Sequence, residues 1–168
     1  ASQHEHIMAR SLFSTGVTWP GIMLWDDRRS VDYLLTRPEV DPSRLGCVGL
    51  SVGGFRSCHL AAMDERIRAA VMVGWMCTFA NQLSLKVRNT YGFSMAIPGL
   101  MHSMDYPDVA SLTAPRSLLV INGSRDGLFD LDGVKSAFRK LEAVYRKIRA
   151  TEHVRCSLYD SPHEFNLE

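Results

Sequence analysis

Gly49-Leu50-Ser51-Val52-Gly53-Gly54, directly after the apolar run Leu45 to Val48 and directly before the small-residue stretch Phe55 to Met63, decides the reading of this chain. A serine placed on so tight a turn between a strand and a helix sits in a strained backbone geometry, with its hydroxyl thrust outward. Bulky side chains two residues to either side would collide, which predicts the glycine at both flanks. The turn also aims the Val52 backbone N–H, at a helix N-terminus, toward the place where an oxyanion would develop. Ser51 is therefore the candidate nucleophile and Val52 the candidate oxyanion donor. A glycine-rich phosphate turn or a plain tight turn can share the three fixed positions. The strand before, the helix after and the extra small residue at Gly54 favour the nucleophile.

Outward from this turn, apolar runs alternate with amphipathic stretches, the pattern of an α/β fold. Strands are predicted at Arg44 to Leu50, Ala69 to Gly74, Ser117 to Ile121 and Val154 to Tyr159. Helices are predicted at Trp25 to Leu35, Phe55 to Met63 and Val134 to Ile148, behind an irregular start. Arg37-Pro38 stops the first helix. Four strands with helical crossovers imply a parallel sheet, each crossover right-handed, with helices on both faces. The whole of 1–168 reads as a single domain, with a cap-like excursion at 75–113 where periodicity is lost. Trp75, Met76, Phe79, Tyr91, Phe93, Met101 and Met104 are candidates to line an acyl or alcohol pocket there. Trp75 and Met76 come first because they follow a strand end directly.

In folds with this turn the acid and the histidine follow the serine in chain order, acid first and histidine last, each in a loop after a later strand. After Ser117 to Ile121 comes Asn122-Gly123-Ser124-Arg125-Asp126, and after Val154 to Tyr159 comes Asp160-Ser161-Pro162-His163. Asp126 would hold the imidazole in one tautomer and stabilise it once protonated. His163 would take the Ser51 proton and return it to the leaving group. Asp130 and Asp160 compete for the acid's place, but Asp130 suits the cap of the following helix and Asp160 a turn. The other histidines, His4, His6, His59, His102 and His153, hold no better position. His4 and His6 lack further ligands at metal spacing, so neither a metal nor another cofactor is expected.

Nineteen Lys and Arg stand against eighteen Asp and Glu, a formal net charge of +1, and no block of like charge marks a nucleic-acid or membrane-surface footprint. No apolar run approaches the roughly 18 residues of a membrane-crossing helix. The expected partner is a small, uncharged or weakly charged molecule. The four cysteines, Cys47, Cys58, Cys77 and Cys156, form no Cys-x-x-Cys pair and read as buried free thiols.

Asp41-Pro42-Ser43-Arg44-Leu45-Gly46-Cys47-Val48-Gly49-Leu50-Ser51-Val52-Gly53-Gly54 resembles the elbow region of dienelactone-hydrolase-like and acetyl-xylan-esterase-like members of the α/β-hydrolase superfamily. Pro115-Arg116 through Asp126 resembles the acid loop of the same group. The resemblance runs from about Trp25 onward. It implies hydrolysis of a carboxylic ester through an acyl-serine intermediate, without a cofactor. Prolyl-oligopeptidase-like peptidases share the doubled glycine, so amide cleavage is the neighbouring alternative. A fragment or interaction module that keeps the motif without catalysis is another.

One departure from the family pattern matters. The first half of the family's sheet has no counterpart here, and the chain corresponds to the C-terminal half of the fold. With the missing half goes the loop that supplies the second oxyanion donor, a loss that can cost roughly 2.7 to 4 kcal/mol of transition-state stabilisation. The elbow strand is also left with one open edge. The edge is expected to be covered by a further segment of a longer protein or by association with another chain.

Overall fold

The computed structural model describes residues 4–83 and 91–165. Helices α1 (Glu5–Ser14) and α2 (Trp19–Leu34) lead into strand β1 (Gly46–Leu50), and α3 (Val52–Met63) joins it to β2 (Ala69–Val73). The excursion that follows contains α4 (Phe79–Gln82), two single 3₁₀ turns (Phe93–Met95 and Leu100–His102) and α5 (Tyr106–Ser111). Then come β3 (Ser117–Gly123), α6 (Leu131–Lys147) and β4 (Val154–Tyr159). The four strands form one parallel sheet, as the sequence predicts, and their order is β1-β2-β3-β4.

The register aligns Gly49, Met72, Val120 and Cys156 in one row across the sheet. On that face Ala70, Met72, Leu118 and Val120 are buried in a single core with Phe55, Cys58 and Ala61 of α3 and Val134, Ala137, Leu141 and Tyr145 of α6. The spacing of the α6 residues puts them on one stripe, and full burial of Leu141 is worth about 1.5 to 3 kcal/mol. The opposite face carries Val48, 58% exposed, with Val71 and Leu119 half-buried and Arg155 exposed. It is covered only toward the C-terminal ends of the strands, where Val73 and Ile121 are buried.

The distribution of helices therefore differs from the expected two-sided one. Strands that follow one another in space in chain order, joined by right-handed crossovers, put every crossover on the same side, and α5 packs against both α3 and α6. A crossover helix on the second face would require a reversal of strand order, which the described residues do not contain.

Before β1 the structure is more regular than the sequence suggests. The irregular start is helical in α1, and α2 begins at Trp19 rather than Trp25. Thr18 is its N-cap, with Oγ1 accepting from Gly21 N at 3.1 Å, and Pro20 occupies the first turn, where its missing N–H costs nothing. α1 buries only Ala9, so it has little apolar pattern to read. It is tied to the excursion by Ser94 N, which donates to the Glu5 carboxylate at 2.8 Å.

Two arginines fasten the layers. Arg116, just before β3, donates to the carbonyls of Ala61 (2.8 Å), Asp64 (3.1 Å) and Ile67 (2.7 Å), carbonyls in and just beyond the last turn of α3. Arg66 grips Asp64 at 2.8 and 2.5 Å and reaches Asp32 of α2 at 2.6 Å. All four cysteines are free thiols, Cys58 and Cys77 buried and Cys47 and Cys156 half-buried. Burial pushes the Cys47 thiol up to about 11 and the Cys58 thiol up to about 12.

Candidate active site

Ser51 stands between β1 and α3 with φ 59° and ψ −120°, a conformation that L-residues rarely adopt. It is held there from both sides. Ser51 N donates to Val73 O of β2 at 2.8 Å, and Ser51 O accepts from Phe55 N at 3.0 Å. The reason for Gly49 is visible: a Cβ there would fall inside the Gly53 backbone. Gly53 differs from the sequence-based expectation, because a Cβ at Gly53 would meet nothing within 4 Å. The steric demand at the turn is one-sided, and it lies on the strand residue. Val52 is the first residue of α3, so its N–H has no acceptor within the helix.

Asp126 and His163 arrive from adjacent loops. Beyond β3 and β4 these loops are laced together: Ser124 N donates to Tyr159 O at 2.7 Å, and Arg125 N to Ser161 O at 3.1 Å. A Cβ at Gly123 would enter the backbone of Ser161 and Pro162, so the close approach requires glycine. Across this junction His163 Nδ1 meets Asp126 Oδ2 at 2.6 Å. The Asp126 side chain is 1% exposed and that of His163 24%. Asp126 Oδ1 accepts from Leu128 N at 3.0 Å, which fixes the carboxylate's direction.

The two competing carboxylates are occupied elsewhere. Asp160 pairs with Arg125 at 2.9 Å in the open. Asp130 caps α6, accepting from Asp132 N at 3.1 Å and Gly133 N at 3.2 Å.

Gly74 connects this pair to the serine. It follows β2 directly and has φ 56°, and a Cβ on it would lie 3.1 Å from His163 Cε1 and 3.2 Å from Leu50 Cδ1. The imidazole thus rests beside the end of β2, the strand end to which Ser51 N is bonded. Ser51 Oγ and His163 form no hydrogen bond. Contacts of this kind commonly tighten only once substrate is bound.

The other sequence-predicted residues are placed differently. Trp75 and Met76 are 3% and 0% exposed and belong to the core rather than to a pocket wall. After the left-handed Gly74 the chain turns inward, and Trp75 packs edge-on against Phe55 and Tyr106 at ring separations of 4.9 and 5.4 Å. Phe79, Tyr91, Phe93 and Met101, with Phe13 of α1, do line a cavity of about 330 Å³, which neither Ser51 nor His163 borders. His59 is buried in α3 with Nδ1 on Phe55 O at 2.9 Å, and burial pushes its pKa down. Among the described residues no group of three or more His, Cys, Asp or Glu could hold a metal ion. Phe129, which sequence reasoning passes over, lies almost parallel to the His163 ring at a centroid distance of 6.2 Å. Nothing in the local pattern marks it.

The profile of the Abhydrolase family matches residues 1–156. YtaP of Bacillus subtilis (strain 168), a hydrolase by name, is 32% identical over 143 residues. That alignment covers 84% of this chain and 47% of YtaP, so the chain spans about half the length of the curated relative it matches. A Bacteroides fragilis NCTC 9343 structure named as an acetyl xylan esterase superposes with a TM-score of 0.77 at 17% identity, over 92% of this chain and 40% of the other. A carbohydrate esterase family 15 glucuronoyl esterase from Caldicellulosiruptor kristjansonii gives a TM-score of 0.66 at 18% identity, over 83% and 44% of the two chains. These two likenesses establish the fold.

Proposed function

Because this chain belongs to the Abhydrolase family, we propose that Ser51, His163 and Asp126 form a catalytic triad that hydrolyses a carboxylic ester through an acyl-serine intermediate. The observation that carries the reading is the 2.6 Å contact between His163 Nδ1 and the buried Asp126 carboxylate, beside the end of β2 that also holds Ser51 in its strained conformation.

With Nδ1 held by Asp126, the imidazole keeps its proton there and offers Nε2 as the base. His163 takes the Ser51 hydroxyl proton as Oγ attacks the ester carbonyl carbon. The carbonyl oxygen becomes an oxyanion, to which the Val52 N–H donates. When the tetrahedral intermediate collapses, the bond to the alcohol oxygen breaks and His163 returns the proton to that oxygen. Water, deprotonated by the same imidazole, then attacks the acyl carbon; the bond to Ser51 Oγ breaks, His163 returns the proton to Oγ, and the acid is released.

The test is intact mass after incubation with a fluorophosphonate. The parent is expected to gain one adduct and Ser51→Ala none. Absence of an adduct on well-folded parent would show that this chain alone is not the catalyst. Faster turnover of an aminoacyl anilide than of an aryl acetate would replace the esterase reading with a peptidase one.

A further inference from the structure

We propose that Phe129 is a positioning residue for His163: its ring fixes the plane of the imidazole while Asp126 fixes its Nδ1 atom. The inference rests on the triad reading above and adds a residue to it. One hydrogen bond restrains a single atom of the imidazole and leaves the ring free to swing about that contact. A flat neighbour on the ring face removes this freedom. Phe129 provides one, inclined by 26° to the imidazole at a centroid distance of 6.2 Å, within the range of offset aromatic pairs.

Phe129 is itself held in place. Trp75, 3% exposed, meets it edge-on at 5.9 Å and 83°, and is in turn packed on Phe55 and Tyr106. The short loop that carries the acid also carries the ring: Leu128 N donates to Asp126 Oδ1, and Phe129 N to Asp126 O at 3.4 Å. Acid and ring are therefore carried by the same hydrogen-bonded turn. Gly74 bounds the imidazole at its Cε1 edge, and the His163 side chain is otherwise 24% exposed. The burial of Trp75, a puzzle if it were only a pocket residue, acquires a role as the backing of Phe129.

The experiment compares the parent with Phe129→Leu, Phe129→Tyr and Ser51→Ala in three measurements: the rate of fluorophosphonate labelling, thermal unfolding, and the NMR signal of the His163 Nδ1 proton. Leucine keeps apolar volume without a flat face, so Phe129→Leu is expected to unfold near the parent's midpoint. Its labelling is expected to fall at least about tenfold, as small misplacements of a catalytic group do, and its Nδ1 proton signal to broaden. Phe129→Tyr is expected to keep both the labelling rate and the sharp signal. A folded Phe129→Leu with the parent's rate and a sharp Nδ1 proton overturns the proposal. Should leucine prevent folding, Phe129→Met takes its place with the same criteria. If the parent takes no label, or Ser51→Ala labels equally, the nucleophile reading fails. The Nδ1 proton then decides for Phe129 alone, and a signal equally sharp in parent and leucine variant overturns it.

Discussion

At Gly49 a single added methyl group separates two glycines that look equivalent in the motif. The new Cβ would enter the Gly53 backbone, which cannot swing aside as a flexible side chain could. Gly49→Ala is therefore expected to lower stability in urea unfolding by at least about 2 kcal/mol, in the range of overpacking at a fixed backbone. Gly53→Ala meets open space on a helical residue and is expected to change stability by no more than about 1 kcal/mol, if anything upward. The places of Ser51 after β1, Asp126 after β3 and His163 after β4 are legible because chain order and strand ends constrain them. The unequal glycines, the inward turn after Gly74 and the Phe129 contact were not. Each depends on the distance between segments far apart in sequence, to which spacing carries no clue.

Among the elements, α3 depends most on groups outside itself. Asp64, the residue that ends it, accepts from Arg66 and lies near Arg28 Nε at 3.5 Å. The hydrogen bonds from Arg66 hold the Asp64 carboxyl below its ordinary value of 3.8. A depressed carboxyl stabilises the fold fully above the unfolded value and loses that contribution as pH falls through the lower folded one. Asp64→Asn is thus expected to be less stable than the parent by about 1 to 3 kcal/mol at neutral pH, the size of a charged hydrogen bond. The gap should close below pH 3.8 in urea unfolding followed across pH. The four strands and three of the helices were legible from period and punctuation, and β4 matches the sequence-based bounds to the residue. α1 was not, because with only Ala9 buried it rests on tertiary contacts, not on an apolar stripe. The start of α2 lies at Thr18 and Pro20, a capping signal that the reading from apolar spacing passes over.

Across the whole molecule, the strand order leaves β1 at an edge without a partner among the described residues, and the one-sided placement of helices leaves Val48 largely exposed on the open face of that strand. Parallel edges of this kind recruit further strands. Sedimentation velocity is expected to show concentration-dependent association of the parent, reduced in Val48→Lys, with the unfolding midpoint unchanged. A strictly monomeric parent would mean that the edge is tolerated as it stands. The same strand order has a temporal consequence. Each of β2, β3 and β4, as it leaves the ribosome, finds the strand just before it already made, so these four strands can pair one after another in a single direction. Of Ser51, Asp126 and His163, the serine emerges first and the histidine last. On the triad reading proposed above, Ser51 would wait without its base until β4 has docked on β3, and its chemistry would be switched on only when the last of these four strands is in place.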